Sequence, residues 1–260
     1  MSVKAKVNYH IKSIERQAFQ FDVDGIAGNL VSPELVPIEV EVQDLRDGDF
    51  KVKFSDDGIT FENHESQTSK FDGSTEWVGS YDRELTSLLK EKIGAKEVIV
   101  FDHTVRIDDP NADRKPARNV HNDYSIQGAH QRLIDLVGRE KAKEFHDSHF
   151  GFVNVWRPVE QIIMNSPLGF IRPSSINPED WMTIELIYPD RIGQILGVAS
   201  NQDHEWFYMS KMKPNDVAIF NIYDNKTIPS LGHSALDFME YAATINMKRK
   251  SIESRTLVLY

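Results

Sequence analysis

The stretch GFVNVWRP (151–158) decides the fold class, because it opens a half-chain built from short apolar runs. Prolines such as Pro214 and Pro229 stand in the turns between these runs. Several short strands at regular spacing predict a sandwich, barrel or jelly roll with one β core. The further runs are WMTIELIYP (181–189), QILGVAS (194–200), EWFYMSKM (205–212), DVAIFNIYD (216–224), GHSALDF (232–238) and SIESRTLVLY (251–260).

Helical patterns lie upstream of this half. Four aliphatic residues between 85 and 93 fall at helical spacing before Gly94, so SYDRELTSLLKEKIG (80–94) predicts a helix with a glycine C-cap. VIVF (98–101) then predicts a buried strand, and GAHQRLIDLVG (128–138) predicts a second helix. We expect these helices to pack on the outside of the β core.

An earlier stretch, FKVKFSDDGITFENH (50–64), predicts two strands around a turn at 56–58. The charged, proline-containing stretch IDDPNADRKPARN (107–119) predicts a solvated loop. The 260 residues are predicted to form a single domain. In it, N-terminal strands and a helix (1–110) pack on a core barrel (118–260).

Composition excludes several function classes. The net charge of −10 and a pI near 5.4 argue against a nucleic-acid surface, which needs clustered Lys and Arg. The N-terminus has no apolar core of the signal-peptide kind, and no stretch approaches 18 uninterrupted apolar residues. The absence of cysteine excludes disulfides, thiolate metal sites and cysteine nucleophiles. We therefore expect a cytoplasmic enzyme or binding protein without a membrane partner, whose metal would be held by nitrogen and oxygen.

VHNDYS (120–125) is the candidate metal motif. In a strand, residues two apart face the same way, so His121 and Asp123 would point together into the barrel. Two histidines and one carboxylate form the facial triad that binds iron(II) and leaves positions open. The third ligand would be His204 or His233; His204 sits in a polar turn that suits the surface, whereas His233 begins an apolar run. A short His-x-Asp motif also arises by chance as a polar turn.

The last strand, RKSIESR (249–255), offers a site for a dicarboxylate. Oxygenases with a facial triad usually use 2-oxoglutarate, whose far carboxylate suits a forked arginine. Arg249 and Ser251 make an Arg-x-Ser pair on one face, and Arg255 is a rival on the same face. The plainer alternative is a strand whose arginines form salt bridges with Glu253.

Together these pieces resemble the hydroxylase/desaturase family of secondary metabolism, which includes gibberellin desaturase-like and cephamycin methoxylation-like proteins. The resemblance runs nearly end to end, and its strength lies in the order and spacing of the segments. The matching segments are DGITFENHESQTSKFD (57–72), YDRELTSLLKEKIGAKEVIVFDHTVR (81–106), VHNDYSIQGAHQR (120–132), FVNVWRP (152–158), PLGFIRPSSI (167–176), EWFYMSKMKPNDVAIFNIYDN (205–225), GHSALDF (232–238) and RKSIESRTLVLY (249–260).

The resemblance implies a mainly β protein with flanking helices, a double-stranded β-helix of the jelly-roll or cupin-like kind, that uses Fe(II) and 2-oxoglutarate. By position it implies His121, Asp123 and His233 as metal ligands. Arg249 and Ser251, or Arg255, would bind the cosubstrate. Residues implied to line the substrate pocket are Asn154, Arg157, Trp206 and Tyr208.

The predicted activity is therefore O2-dependent hydroxylation or desaturation of a small secondary metabolite. An intact His-x-Asp argues against halogenation, for which such enzymes lack the carboxylate. The alternatives are an isomerase on the same scaffold and a protein that binds a small molecule without oxidising it. Neither the substrate nor the oligomeric state can be read from the residues.

Overall fold

The computed structural model describes residues 2–20, 32–46, 48, 50–68, 70–72, 74–189, 192–239 and 247–260. Strand accounts for 41% of the structure and helix for 20%, which confirms the mainly β class. The helices are α1 (Phe54–Asp57), α2 (Val78–Ile93), α3 (Ile126–Val137) and α4 (Arg139–Asp147). The strands are β1 (Ser2–His10), β2 (Gln17–Gln20), β3 (Leu35–Asp44), β4 (Ile59–Asn63), β5 (Glu97–Ile107), β6 (His121–Asn122), β7 (Phe150–Pro158), β8 (Leu168–Ile171), β9 (Trp181–Ile187), β10 (Ile192–Val198), β11 (Trp206–Tyr208), β12 (Asp216–Asp224), β13 (His233–Ala235), β14 (Asp237–Phe238) and β15 (Lys250–Leu259).

The strands form two sheets that face each other. One has the order β4-β12-β7-β15-β5, and the other has the order β14-β1-β3-β11-β8-β13-β6-β10-β9-β2. Their inner faces share one apolar cluster, in which Phe152 and Phe220 of the first sheet meet Phe170 and Phe207 of the second. This is the predicted jelly roll, with a core between two sheets.

Two further apolar clusters cover the outer faces of the sheets. Leu85, Leu88 and Leu89 of α2 are buried against the outer side of the five-stranded sheet, as the helical spacing of these residues predicts. On the outer side of the other sheet, side chains of its own strands β1 and β3 pack in one cluster with Val120 and Val198. The inner face of each sheet is thereby left for the candidate site.

The helix boundaries follow their predicted caps. Gly94 ends α2 in the left-handed conformation, with φ +72°, and its N–H bonds the Leu89 carbonyl. Gly138 lies between α3 and α4, and the Ser125 hydroxyl caps α3 by accepting from the Gly128 N–H.

The predicted hairpin at 50–64 is wrong in its first half. Residues Phe54–Asp57 form the single helical turn α1, ending at Gly58 with φ +72°. The Asp57 carboxylate accepts the Lys53 N–H at 2.8 Å and so satisfies a backbone donor that a hairpin would have used in its ladder. Only β4, which pairs with β12, is a strand there.

The division into 1–110 and 118–260 stays a prediction. In the described structure, strands β1, β3, β4 and β5 from the first range are hydrogen-bonded into the same two sheets as strands from the second range.

Candidate metal centre

The three predicted metal ligands lie together between the sheets. His121 on β6 and His233 on β13 are cross-strand partners, and Asp123 follows directly after β6. One ligand atom from each residue lies within 4.8 Å of the others. The Asp123 Oδ1 lies 3.4 Å from His121 Nε2 and 4.0 Å from His233 Nε2. Because β6 ends at Asn122, the shared direction of His121 and Asp123 comes from a bend after the strand.

Backbone carbonyls orient both imidazoles. His121 Nδ1 lies 2.8 Å from the Asn119 carbonyl oxygen, and His233 Nδ1 lies 3.2 Å from that of Leu231. A carbonyl only accepts, so each Nδ1 carries a proton, and each Nε2 points toward Asp123. Burial, with His121 nearby, lowers the pKa of His233 to about 4, so this ring is neutral at pH 7. A neutral Nε2 is the form that binds a metal ion.

Asp123 is held through its other oxygen. Its Oδ2 accepts from Asn154 Nδ2 at 2.9 Å and from Arg255 Nε at 3.1 Å. Burial alone would raise the pKa of Asp123, but the Arg255 guanidinium and the two histidines hold it well below its usual range. The carboxylate is therefore ionised, with Oδ2 engaged and Oδ1 facing the imidazoles.

Arg255 lies among three carboxylates. Besides Asp123, its Nη1 contacts Asp102 at 2.6 Å and its Nη2 contacts Glu253 at 2.5 Å. Burial opposes the charge of Arg255, yet these carboxylates raise its pKa. The predicted salt bridge with Glu253 is therefore present, and it forms part of the support for a metal ligand.

Arg249 has a different environment. Its guanidinium is buried, donates from Nε to Ser251 Oγ at 3.3 Å and from Nη1 to the Ser166 carbonyl, and lies 5.1 Å from the Trp156 ring centroid. No carboxylate of the described residues lies within 4.0 Å of it. Burial lowers its pKa to about 9. The Trp156 indole N–H beside it is also buried and has no partner in the described structure.

Ser166 is fixed by an ion-pair network that sequence reasoning missed. Arg118 contacts Asp108 at 3.0 Å and Asp237 at 2.9 Å, and Arg118 and Asp108 both bond the Ser166 hydroxyl. Arg118 precedes His121 by three residues, and Asp237 follows His233 by four. The network thus joins both histidine segments to the carbonyl that binds Arg249. These residues come from two separate loops and the short strand β14, so no local motif marks them.

The remaining predicted site residues divide by strand face. Asn154 reaches Asp123, but Arg157 lies on the opposite face of β7 and bonds His64. Trp206 and Tyr208 lie in the cluster on the outer side of their sheet, and the Trp206 indole donates to the Tyr9 hydroxyl. Phe207, between them, faces the inner cluster. The structure therefore does not bring Arg157, Trp206 or Tyr208 to the metal ligands.

His204 corrects an expectation about the surface. Its side chain is only 1% exposed, because the turn that carries it lies over β1 and the 3-10 turn Pro178–Asp180. The imidazole bonds the Tyr9 hydroxyl at 2.8 Å and Asp180 at 3.2 Å. His204 is thus a buried structural histidine, and it is absent from the group around Asp123.

A family model described as an oxidoreductase/YMDC permease-like domain matches residues 8–259. The chain belongs to this family. Its similarity to fungal hydroxylase/desaturase proteins confirms the resemblance read from the sequence. An alpha-ketoglutarate-dependent dioxygenase, phiK of Fungal sp., is 27% identical over 240 residues, covering 85% of this chain and 83% of the relative. Hydroxylase/desaturase efuI of Hormonema carpetanum is 26% identical over 248 residues, with the same coverage of each chain.

A solved structure is also similar to this chain along nearly its whole length. The iron and alpha-ketoglutarate-dependent endoperoxidase NvfI superposes with a TM-score of 0.84 at 20% identity, covering 99% of this chain and 98% of that one. This similarity supports the fold. Among the described residues, no helix combines the length and apolarity needed to cross a membrane.

Proposed function

We propose that the protein is a non-haem Fe(II)- and 2-oxoglutarate-dependent oxygenase that hydroxylates or desaturates a small secondary metabolite. The observation that carries the proposal is the convergence of His121, Asp123 and His233, with their donor atoms within 4.8 Å of one another. The names of the curated relatives support the enzyme class predicted from the sequence.

The donor set fits iron(II). Two imidazole nitrogens and one carboxylate oxygen form the set used by non-haem iron oxygenases, and it leaves coordination positions open. The low exposure of the ligands, 2% for the His233 side chain and 10% for Asp123, limits access of water. When bound, iron(II) and 2-oxoglutarate supply the O2 activation and the oxidising equivalents for attack on a C–H bond.

Arg249 and Ser251 are our choice for the far carboxylate of 2-oxoglutarate. A buried guanidinium without an anionic partner is costly, and a bound carboxylate removes that cost. Arg249 is in this condition, whereas Arg255 already contacts three carboxylates. The Ser251 hydroxyl and the unpartnered Trp156 indole N–H supply further donors on the same inner face.

In this proposal Arg255 and Asn154 act on the metal ligand. By bonding Asp123 Oδ2 they keep the carboxylate ionised and direct Oδ1 toward the imidazoles. Asp102 and Glu253 in turn fix the guanidinium of Arg255. This support resembles the hydrogen bonds that usually orient metal ligands in proteins.

Anaerobic titration of metal-free protein with iron(II) and 2-oxoglutarate tests the proposal through the visible metal-to-ligand charge-transfer band. We expect a band that His121→Ala abolishes. Arg249→Gln should require at least about 10-fold more 2-oxoglutarate, since a hydrogen bond to a charged group is worth about 1.5–3 kcal/mol. Arg139→Gln, at an exposed position on α4, is the matched control and should leave the titration unchanged. No band with folded wild-type protein would refute the oxygenase assignment.

For partners and location we propose a small organic substrate, O2 as co-reactant and the cytoplasm, with no nucleic-acid or membrane partner. The net charge of −10 supports the exclusion of nucleic acid, because phosphate binding needs a basic surface. The absence of cysteine is compatible with a reducing compartment.

A further inference from the structure

The metal ligands divide the inner face of β7 and β15 into two sides. Asn154 and Arg255, which hold Asp123, are cross-strand partners at one level of the sheet. Toward Arg249, the next cross-strand pair on the same face is Trp156 and Glu253. This is the side on which the proposed function places 2-oxoglutarate. In the opposite direction the next cross-strand pair is Phe152 and Leu257. That second side remains for the substrate.

Aromatic rings line this second side. Tyr124 directly follows the ligand Asp123, and its ring centroid lies 5.0 Å from that of Phe152. Phe101 lies 5.9 Å from Phe152 in an edge-to-face arrangement. The register of β5 against β15 shifts between Asp102 and Val100, so Phe101 is the extra residue of a bulge, a feature that re-aims a side chain. Tyr124 and Phe101 are half-buried, so a ligand can reach their rings.

Arg132 on α3 lies over the Phe101 ring, and no anionic partner for it is found in the part of the chain that the structure describes. Its guanidinium carbon is 4.8 Å from the Phe101 ring centroid. Its Nε is buried without a hydrogen-bond partner, and no carboxylate of the described residues lies within 4.0 Å of it. The neighbouring cations differ, since Arg255 contacts three carboxylates and Arg118 two.

The Tyr124 hydroxyl adds a second donor. It interacts with Arg132, and a phenol O–H can donate a hydrogen bond to an anion. A guanidinium and a phenol O–H beside half-buried aromatic rings form a site for an anion attached to an apolar body. The dominant recognition would come from the charge-assisted bonds to the anion.

We propose that Arg132, with Tyr124, binds a carboxylate of the substrate and places its apolar body against the half-buried Phe101 beside the metal ligands. The inference rests on the proposed function and adds the substrate class, an apolar organic acid. Arg132 is then a binding residue that sets specificity, and its charge selects the acid over a neutral ester of the same shape.

The test compares trans-cinnamate with methyl trans-cinnamate by ligand-observed saturation-transfer NMR on the metal-free 260-residue protein. Wild type should bind the acid at least about 10-fold more tightly than the ester. Arg132→Gln should remove this preference and leave ester binding unchanged, while Arg132→Lys should retain part of it. Arg139→Gln, an exposed arginine on the next helix, should behave as wild type.

Several outcomes would overturn the inference. These are no cinnamate binding by folded wild-type protein, equal affinity for acid and ester, or an acid preference that survives Arg132→Gln. Equal loss of both probes in Arg132→Gln, without rescue by Arg132→Lys, would assign Arg132 a structural role only and so reject the proposal.

A second arm separates the substrate carboxylate from that of 2-oxoglutarate and places the site. With Mn(II) bound, paramagnetic broadening of the cinnamate protons should appear in wild type, persist with saturating 2-oxoglutarate and vanish in Arg132→Gln. Displacement of cinnamate by 2-oxoglutarate would reject the substrate assignment. Failure of Mn(II) to bind would count against the metal centre, while the acid preference in metal-free protein is measured independently.

Discussion

The hydrogen bond from Asn154 to Asp123 offers the most direct test of how the metal ligand is held. Asn154→Ala removes the donor that lies 2.9 Å from Asp123 Oδ2 and leaves Arg255 Nε, at 3.1 Å, as the remaining donor. A hydrogen bond to a charged group contributes about 1.5–3 kcal/mol. Because Arg255 still restrains the carboxylate, we take the lower part of this range, which corresponds to about 10-fold weaker metal binding.

Cobalt(II), followed by visible absorption during titration of the metal-free protein, measures the affinity without turnover. Asn221→Ala is the matched control, because Asn221 is also a fully buried asparagine, on β12, that bonds the carbonyls of Ile228 and Pro229. Both variants should lose about 1–3 kcal/mol of unfolding free energy in urea. Only Asn154→Ala should lose cobalt affinity. Unchanged affinity in Asn154→Ala, or the same loss in Asn221→Ala, would refute the argument that this bond orients Asp123.

Two further predictions concern the scaffold. Burial lowers the pKa of His10 to about 4, so the folded state favours the neutral ring, and stability should fall as pH drops below 6.5 toward 4. The free energy of unfolding, measured in urea, should fall by about 2 kcal/mol between pH 7 and 5, and His10→Gln should remove most of this pH dependence. An unchanged pH dependence in His10→Gln would exclude His10 as the cause. Gly58 and Gly94 both have φ +72°, but an added Cβ at Gly58 would lie 2.2 Å from the Pro229 carbonyl oxygen, whereas nothing lies within 4 Å at Gly94. In the same assay, Gly94→Ala should lower the free energy of unfolding by about 1 kcal/mol and Gly58→Ala should lower it clearly more. Equal losses would contradict the steric argument.

The strand pattern after residue 150 and the helix over α2 could be predicted because each depends on local periodicity. The hairpin at 50–64 could not, because the competition between a helical turn and a strand at Phe54 was decided by the Asp57 carboxylate and the contact of Gly58 with Pro229. Local spacing suggests a turn at this place in either case. It does not say which backbone groups the turn will satisfy.

Alternation along a strand shows which side chains share a face. It does not show which of the two faces points to the space between the sheets. In FVNVWRP, alternation separates Asn154 from Arg157, but the motif alone does not say which of them faces the metal ligands. The same holds for Trp206 and Tyr208, whose aromatic character suggested a pocket while the inner-facing residue between them is Phe207. His204 was misjudged because the neighbours that bury it, Tyr9 and Asp180, are distant in sequence.

Arg249 and Arg255 could not be ranked by sequence, since their even spacing predicts that both lie on one face of the last strand. Their surroundings distinguish them, and these depend on β5 and on the network around Ser166. A chain with 40 acidic residues has ample means to pair a buried cation, and it does so for Arg255 and Arg118. Arg249 and Arg132 flank the same metal ligands, one on each side, with no carboxylate of the described residues within ion-pair distance. The guanidinium of Arg249 is buried, and Arg132 is half-buried with a buried Nε. Burying such donors without a partner costs free energy, and a bound anion offsets that cost. Two such groups on opposite sides of one centre therefore favour two separate carboxylates, one from the cosubstrate at Arg249 and one from the substrate at Arg132.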